Sequence, residues 1–172
     1  CITLAKTLAN SITAGERDGK VAPGLQHGNS PLEYPRNFIE GKTLVLTTTN
    51  GTRLLHMCKE ANEIITGSFL NLSAVCDYIM QQKKPVLLAG ASWKDRYNLE
   101  DSLFAGAVYE NVKEHFEMNC DSTRAATHLY RLAKNDLYGF IQDSPHFLRL
   151  SKFGLHYHME YCCKIDAHNV MA

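Results

Sequence analysis

One short run of the chain combines residue types that bind anions. The run Leu44-Val-Leu-Thr-Thr-Thr-Asn-Gly-Thr-Arg53 passes from apolar residues through hydroxyl, amide and glycine positions to an arginine. If a strand ends in this run and a helix begins, backbone N–H groups and the positive end of the helix dipole face the turn, where phosphate binds well. Arg53 would add a charge-assisted hydrogen bond. The run therefore predicts a phosphate-binding loop.

Two interpretations of this run differ in the element that comes after the turn. Asn50-Gly51 is a strong signal for a β-hairpin, but a hairpin needs an alternating strand after the turn. The next apolar positions fit one face of a helix instead: Leu54, Met57, Cys58 and Ala61. We therefore favour strand–loop–helix. Threonine or asparagine before a helix also serves as an ordinary N-cap, so the loop alone is a weak phosphate signal.

A second group that could take part in catalysis or metal binding is the adjacent acid pair Glu100 and Asp101, which opens a predicted long helix. As first-turn acids, with Asn98 as N-cap, they would simply complement the helix dipole. As hard oxygen ligands beside a phosphate they would bind Mg²⁺ and offset charge in phosphoryl transfer. Both interpretations stay open on the residues alone.

Other polar residues have similar pairs of interpretations. Arg17, in a charged glycine-flanked turn, is either solvated or reaches over a substrate. Ser30 and Glu33 flank Pro31 in a helix-capping pattern. Of the histidines, His146 in Asp-Ser-Pro-His is the best catalytic candidate. Trp93 fits either a lid or a packed anchor.

Composition narrows the classes of function. The chain has 172 residues, 45% hydrophobic and 21% charged, with 18 basic and 18 acidic side chains. This balance is typical of one globular domain, and it gives no reason to expect nucleic acid or membrane as a partner. The six cysteines show no metal-type spacing, so we expect reduced thiols in a cytoplasmic protein.

The first ten residues have the pattern of a helix that begins without a capping residue. Cys1 stands inside a helix-like apolar pattern over residues 1–10 and is not preceded by a capping residue. We expect that the domain, residues 1–172, lacks an N-terminal portion.

Short strand-like and helix-like segments alternate along the chain. Strands are predicted at residues 43–48, 63–67 and 85–89, and helices at 53–61, 72–82, 99–116, 123–133 and near 144–152. This alternation predicts an α/β fold, with a mostly parallel sheet flanked by helices in three α/β/α layers. Ligands bind at the carboxyl ends of such strands, where three polar loops are found: residues 47–52, 67–71 and 89–101.

Several segments, in this order and spacing, resemble the 2-phosphosulfolactate phosphatase family. The Thr-Thr-Asn-Gly-Thr and Gly-Asn-Ser-Pro segments together are the most specific. The matching stretches are Gly15-Glu16-Arg17, Gly28-Asn29-Ser30-Pro31-Leu32-Glu33, Thr47-Thr48-Thr49-Asn50-Gly51-Thr52-Arg53, Gly67-Ser68-Phe69-Leu70-Asn71, and Leu99-Glu100-Asp101 with Ala105-Gly106.

The resemblance implies an α/β, dimeric, Mg²⁺-dependent phosphomonoester hydrolase. Its substrate would be a small phosphorylated sulfo-hydroxy acid, 2-phospho-3-sulfolactate, and its product 3-sulfolactate, a step of coenzyme M biosynthesis. Glu100 and Asp101 would bind Mg²⁺. The catalytic residues would be Arg53, Glu33 and Asn29. Phosphate or substrate would be bound by Thr48, Thr49, Asn50, Gly51, Thr52, Ser68, Asn71 and Arg17.

Two departures from the family pattern bear on activity. An upstream Asp-x-x-Arg-Ala type segment is absent, and His156-Tyr157-His158 stands where an acidic residue is usual. The nucleophile is either a metal-bound water or an upstream aspartate. The competing hypothesis is a non-catalytic α/β module that binds small anions or a partner. A nucleotide-binding Rossmann enzyme is disfavoured, because GxGxxG and GxxxxGK[ST] are both missing.

Overall fold

A computed structural model describes residues 1–94 and 96–171. The contacts of the chain divide it into two compact units, Cys1–Lys59 and Glu60–Ala172. The expectation of a single domain stays a prediction.

The first unit contains a small mixed sheet. Its central strand, β1 (Ser11–Arg17), pairs in parallel with β3 (Thr43–Thr47) and, at its far end, antiparallel with the two-residue β2 (Lys20–Val21). The other elements of this unit are α1 (Ile2–Ala5), a 3₁₀ turn (Pro31–Glu33), α2 (Arg36–Ile39) and α3 (Gly51–Met57). The segment between β2 and β3 supplies the long connection that parallel pairing requires.

Glycine is needed at the last rung of the parallel ladder between β1 and β3. Gly15 lies opposite Thr47 in the parallel ladder. A Cβ atom on Gly15 would stand 2.2 Å from the carbonyl oxygen of Thr47, so only glycine permits this approach. Ile12, Ala14 and Val45 are buried around the ladder and form the apolar centre of the unit.

The second unit is helical. Its elements are a 3₁₀ turn (Phe69–Asn71), α4 (Leu72–Gln82), α5 (Leu99–Val112), α6 (Asp121–Ala133), α7 (Leu137–Ile141), α8 (Pro145–Ser151) and α9 (His156–Cys162). Apolar side chains from α4, α5, α6 and α7 meet in one core, whose members include Phe69, Val75, Ile79, Leu103, Val108, Val112, Tyr130 and Ile141. The apolar side of α5, with Leu103, Ala107, Val108 and Val112, lies in this core, and Phe116, beyond the helix end, is half-buried against it.

The last part of the second unit is fastened to the start of α4. The backbone N–H groups of Asp166 and His168 donate to the carbonyl oxygens of Phe69 and Leu70 at 2.9 and 2.8 Å. The carboxylate of Asp166 accepts from the backbone N–H and the hydroxyl of Ser73 at 2.7 and 2.6 Å. Asp166 therefore caps α4 from a distance of 93 residues along the chain.

The predicted α/β class is confirmed, but its sheet is smaller and more mixed than expected. The strands predicted at residues 63–67 and 85–89 are wrong, because both segments are irregular. A strand needs a paired neighbour, and these apolar residues stay partly in solvent, with Ile64 41% and Leu87 86% exposed. The helices were predicted more closely: α4 has the predicted bounds, whereas α3 and α5 end four residues early.

Within the described residues, no helix is long and apolar enough to cross a membrane.

Gly106 provides a test of the packing between α5 and α6. A Cβ atom at this position would lie 2.1 Å from the carbonyl oxygen of Ala126. Gly106→Ala should therefore lower the free energy of unfolding by about 2 kcal/mol or more, although alanine is the better helix former. Urea unfolding measures the change. The added Ala126→Gly should not restore stability, because the clash is with backbone; stability at or above wild type in Gly106→Ala would contradict the close packing of the two helices.

Candidate phosphate loop and carboxylate pair

The loop between β3 and α3 is closed by two threonines. The backbone N–H of Thr48 donates to Oγ1 of Thr52 at 2.9 Å, and the backbone N–H of Thr52 donates to Oγ1 of Thr48 at 3.2 Å. Asn50 is the N-cap residue of α3, but its side chain makes no capping bond. The strand–loop–helix interpretation is confirmed, and the alternative hairpin does not form.

Gly51 and Arg53 are both in the first turn of α3. A Cβ atom on Gly51 would come within 2.9 Å of Oγ1 of Thr48, so a side chain there would press on the hydroxyl that closes the loop. Arg53 is exposed. A guanidinium so close to a loop of hydroxyl groups is suited to binding a phosphate oxygen.

Glu16 links this loop to the end of β1. Its carboxylate accepts from the backbone N–H of Thr49 at 3.2 Å and from that of Gly19 at 3.1 Å. Nη1 of Arg17 donates to Oγ1 of Thr49 at 3.5 Å. Burial alone would raise the pKa of Glu16, but the hydrogen bonds from Gly19 and Thr49 and the charge of Arg17 outweigh it and lower the pKa.

The Gly-Asn-Ser-Pro segment forms the predicted cap. The Ser30 hydroxyl accepts from the backbone N–H of Leu32 at 3.3 Å. The carboxylate of Glu33 turns back to accept from the backbone N–H of Gly28 at 2.8 Å. Asn29 is exposed between them. Glu33 therefore has a structural bond in addition to the catalytic role predicted for it.

Ser68 and Asn71, in the second unit, form a local capping box. Oδ1 of Asn71 accepts from the backbone N–H of Ser68 at 2.8 Å, and Nδ2 of Asn71 donates to the carbonyl oxygen of Val170 at 3.0 Å. Both ends of the Asn71 amide are thus engaged within the chain. Their predicted role in substrate binding stays a prediction.

The carboxylate pair stands at the start of α5, with Asn98 as the predicted N-cap accepting from the backbone N–H of Glu100 at 3.2 Å. Oδ2 of Asp101 accepts from the backbone N–H of Ser92 at 2.8 Å. Oε1 of Glu100 accepts from the hydroxyl of Ser144 at 3.0 Å. Within the described part of the chain, Oε2 of Glu100 is buried and has no hydrogen-bond partner.

This orphaned oxygen fits a cation. A buried carboxylate oxygen without a donor is costly, and a hard cation such as Mg²⁺ would satisfy it. Burial raises the pKa of the nearby Cys163 thiol to about 12, with the charges of Cys162 and Glu100 acting in the same direction, so Cys163 offers no competing thiolate. Among residues 1–94 and 96–171, no group of three or more His, Cys, Asp or Glu side chains is placed to hold a metal ion. Any cation here would therefore need water or substrate oxygens to complete its shell.

The predicted residues are thus divided between the two units. Arg17 and the loop of residues 48–53 are neighbours in the first unit, which also holds Asn29 and Glu33. Glu100 and Asp101 are neighbours in the second unit, which also holds Ser68 and Asn71. Sequence reasoning missed Ser144 and the part played by Glu16. Ser144 could have been noticed as a serine before Pro145, the signature of a helix start, but that pattern does not reveal its bond to Glu100.

Fold and loop chemistry together describe an α/β protein suited to phosphate esters, and comparison with known proteins gives the class. The chain is a phosphatase, a hydrolase of phosphate esters. It belongs to the 2-phosphosulpholactate phosphatase family, whose model matches residues 1–172.

Curated relatives agree with the family model, and each is named "Probable 2-phosphosulfolactate phosphatase". The protein of Caldanaerobacter subterraneus subsp. tengcongensis is 35% identical over 161 residues, which cover 93% of this chain and 67% of the relative. The Synechocystis sp. protein is 37% identical, covering 93% and 68%. The Thermotoga petrophila protein is 39% identical, covering 95% and 70%. The chain therefore spans about two thirds of the length of these relatives.

The lowered pKa of Glu16 gives stability a defined pH dependence. Because the folded-state pKa lies below the ordinary value of 4.5, the carboxylate stabilises the fold above that pH, and this stabilisation is lost as the pH falls through the folded-state pKa. Glu16→Gln should lower the free energy of unfolding near neutral pH, and its difference from wild type should shrink below pH 4.5.

Urea unfolding across this pH range measures the difference. Glu40→Gln is the matched control, because Glu40 makes an exposed ion pair with Arg36 at 3.2 Å, and such pairs contribute little. A Glu16→Gln difference that stays constant with pH would contradict the role given to Glu16.

Proposed function

We propose that this protein hydrolyses 2-phospho-3-sulfolactate to 3-sulfolactate and phosphate with the help of Mg²⁺. The observation that supports the proposal most directly is the family match along residues 1–172, which includes the threonine-closed loop and the acid pair. The relatives carry the name of this activity, and the loop and the acid pair supply the groups that such chemistry needs.

In the proposed reaction, the bond from phosphorus to the substrate oxygen breaks, the phosphoryl group passes to water, directly or by way of an upstream aspartate, and a proton passes to the departing oxygen. The loop of residues 48–52 would orient the phosphate through its hydroxyl groups, because the backbone N–H groups of Thr48, Thr49 and Thr52 already donate within the chain. Arg53 would stabilise the negative charge that grows on the phosphoryl oxygens. Asn29 and Glu33 are the other proposed catalytic residues.

Glu100 and Asp101 are the proposed Mg²⁺ ligands. Oε2 of Glu100 is the oxygen best prepared for this, since it is buried without a donor within the described residues. Asp101 is held by Ser92, and Gly90 permits that approach, because a Cβ atom there would lie 3.0 Å from Cβ of Asp101. A Mg²⁺ ion held there would supply the positive charge that phosphoryl chemistry needs.

The remaining expectations are also proposals. We infer a cytoplasmic homodimer that serves coenzyme M biosynthesis. The six cysteines, all free thiols, support a reducing compartment. The dimer rests on the family resemblance and is tested by light scattering on the purified protein.

The central test is phosphate release by the purified chain. We expect release from 2-phospho-3-sulfolactate in the presence of Mg²⁺, and its loss when EDTA is added. 2-Phospholactate, which lacks the sulfonate, should be a poorer substrate, because a site built for two anionic groups loses one of them. Binding of the substrate without phosphate release would favour the non-catalytic module instead.

Arg53 and Glu100 allow the two groups of residues to be tested separately. Arg53→Met should lower kcat/KM by about a hundredfold, as expected when one charge-assisted contact to the transition state is lost. Arg36→Met is the control from the same unit. Glu100→Gln should abolish the response to Mg²⁺, whereas Glu114→Gln, an exposed acid beyond the end of α5, should not. Unchanged kinetics in Arg53→Met would remove Arg53 from the catalytic residues.

A further inference from the structure

The hydroxyl of Ser144 makes two hydrogen bonds of different kinds. It accepts from the backbone N–H of Phe147 at 3.1 Å, which caps α8, and it donates to Oε1 of Glu100 at 3.0 Å. A serine hydroxyl has a single proton, so this proton is committed to the carboxylate while a lone pair serves the helix. Ser144 is only 4% exposed, and water does not compete for either bond.

The hydrogen bond that Ser144 donates to Glu100 is not needed to cap α8. Asp136 caps α7 with a carboxylate that accepts from the backbone N–H of Gly139 at 2.8 Å and has no proton to donate. The bond from Ser144 to Glu100 instead holds one carboxylate oxygen and leaves Oε2 as the oxygen without a donor among the described residues. Ser144 thus determines which oxygen of Glu100 stays available.

The same short helix also contacts the segment that holds Asp101. The guanidinium of Arg149 stacks over the ring of Trp93, 4.0 Å from the ring centroid, and its Nη2 lies 2.9 Å from Nδ1 of His146. Trp93 comes directly after Ser92, whose backbone N–H binds Asp101. The attraction between the guanidinium and the ring face holds these two side chains together.

These contacts form a closed circuit within the second unit. It runs from Glu100 through Ser144 and Arg149 to Trp93, and through the adjacent Ser92 back to Asp101. We propose that α8 positions the carboxylate pair: Ser144 orients Glu100, and the Arg149–Trp93 stack fixes the segment that orients Asp101. The proposal rests on the proposed function in so far as the pair binds Mg²⁺, but the circuit itself can be measured without metal.

The metal-free test is a double-mutant cycle. Ser144→Gly deletes the hydroxyl and keeps a residue that helix N-caps tolerate. Glu100→Met removes the acceptor, whereas glutamine would keep an oxygen that accepts. If the two are coupled, their effects on the unfolding equilibrium constant should depart from additivity by about threefold or more. Asp136→Gly, which removes the cap of α7, should combine additively with Glu100→Met. Additivity in both cycles would overturn the proposal.

A spectroscopic test uses Trp93, the single tryptophan of the chain. Its fluorescence reports the circuit directly. Arg149→Lys keeps the charge but loses the planar stack, so it should change the emission of Trp93. Ser144→Gly should change the emission in the same direction through α8, and Asp136→Gly should not. If Ser144→Gly leaves the emission of Trp93 as in wild type, α8 does not transmit the contact and the proposal fails.

Magnesium binding separates this proposal from the proposed function. In calorimetry, Ser144→Gly should weaken Mg²⁺ binding by about tenfold, which is typical for loss of a residue that supports a metal ligand. Asp136→Gly should bind as wild type. If the wild-type chain binds no Mg²⁺, the metal assignment fails, and the double-mutant cycle with the Trp93 emission decides on the positioning role. If wild type and Ser144→Gly bind Mg²⁺ equally, the positioning role is overturned while the metal assignment stands.

Discussion

The approach of β1 to β3 at Gly15 is the constraint on which the first unit depends. Without a Cβ atom, Gly15 lets the carbonyl oxygen of Thr47 come close at the last rung of the parallel ladder. The next residue on one strand is Glu16, and the next residues on the other begin the threonine-closed loop. The carboxylate of Glu16 can therefore reach the backbone N–H of Thr49. A larger residue in place of Gly15 would push β1 and β3 apart next to Glu16 and the threonine-closed loop, which must stay in contact.

The second unit has a comparable constraint in the contact of Gly106 with the backbone of Ala126. With this close packing, the core side chains of α5 point toward α4 and α6. The N-terminal turn of α5 carries Glu100 and Asp101. The acid pair is supported twice, by Ser92 on one side and by Ser144 on the other. Small residues thus allow the packing, and short polar side chains and backbone groups orient the acids.

Loops, helix caps and helix bounds could be predicted from the sequence, whereas contacts between residues far apart along the chain could not. The loop after β3, the Ser30 cap, the Asn98 cap and the bounds of α4 all depend on neighbouring residues, and these predictions are confirmed. Residues 63–67 and 85–89 have the composition of strands, but composition does not supply a neighbouring strand. Ser144 and Glu100 are 44 positions apart, and no local pattern signals such a bond. The capping box of Ser68 and Asn71 uses the same residue types as a ligand-binding loop, so sequence alone could not distinguish the two.

The fastening of the last segment to the start of α4 links the two ends of the second unit. Asp166 and His168 bind the backbone just before α4, and Asp166 also caps that helix. The amide hydrogens of this segment should exchange with solvent together with those of the first turn of α4, since one cannot open without releasing the other. The C-terminal residues are thus part of the cooperative unit that carries the acid pair.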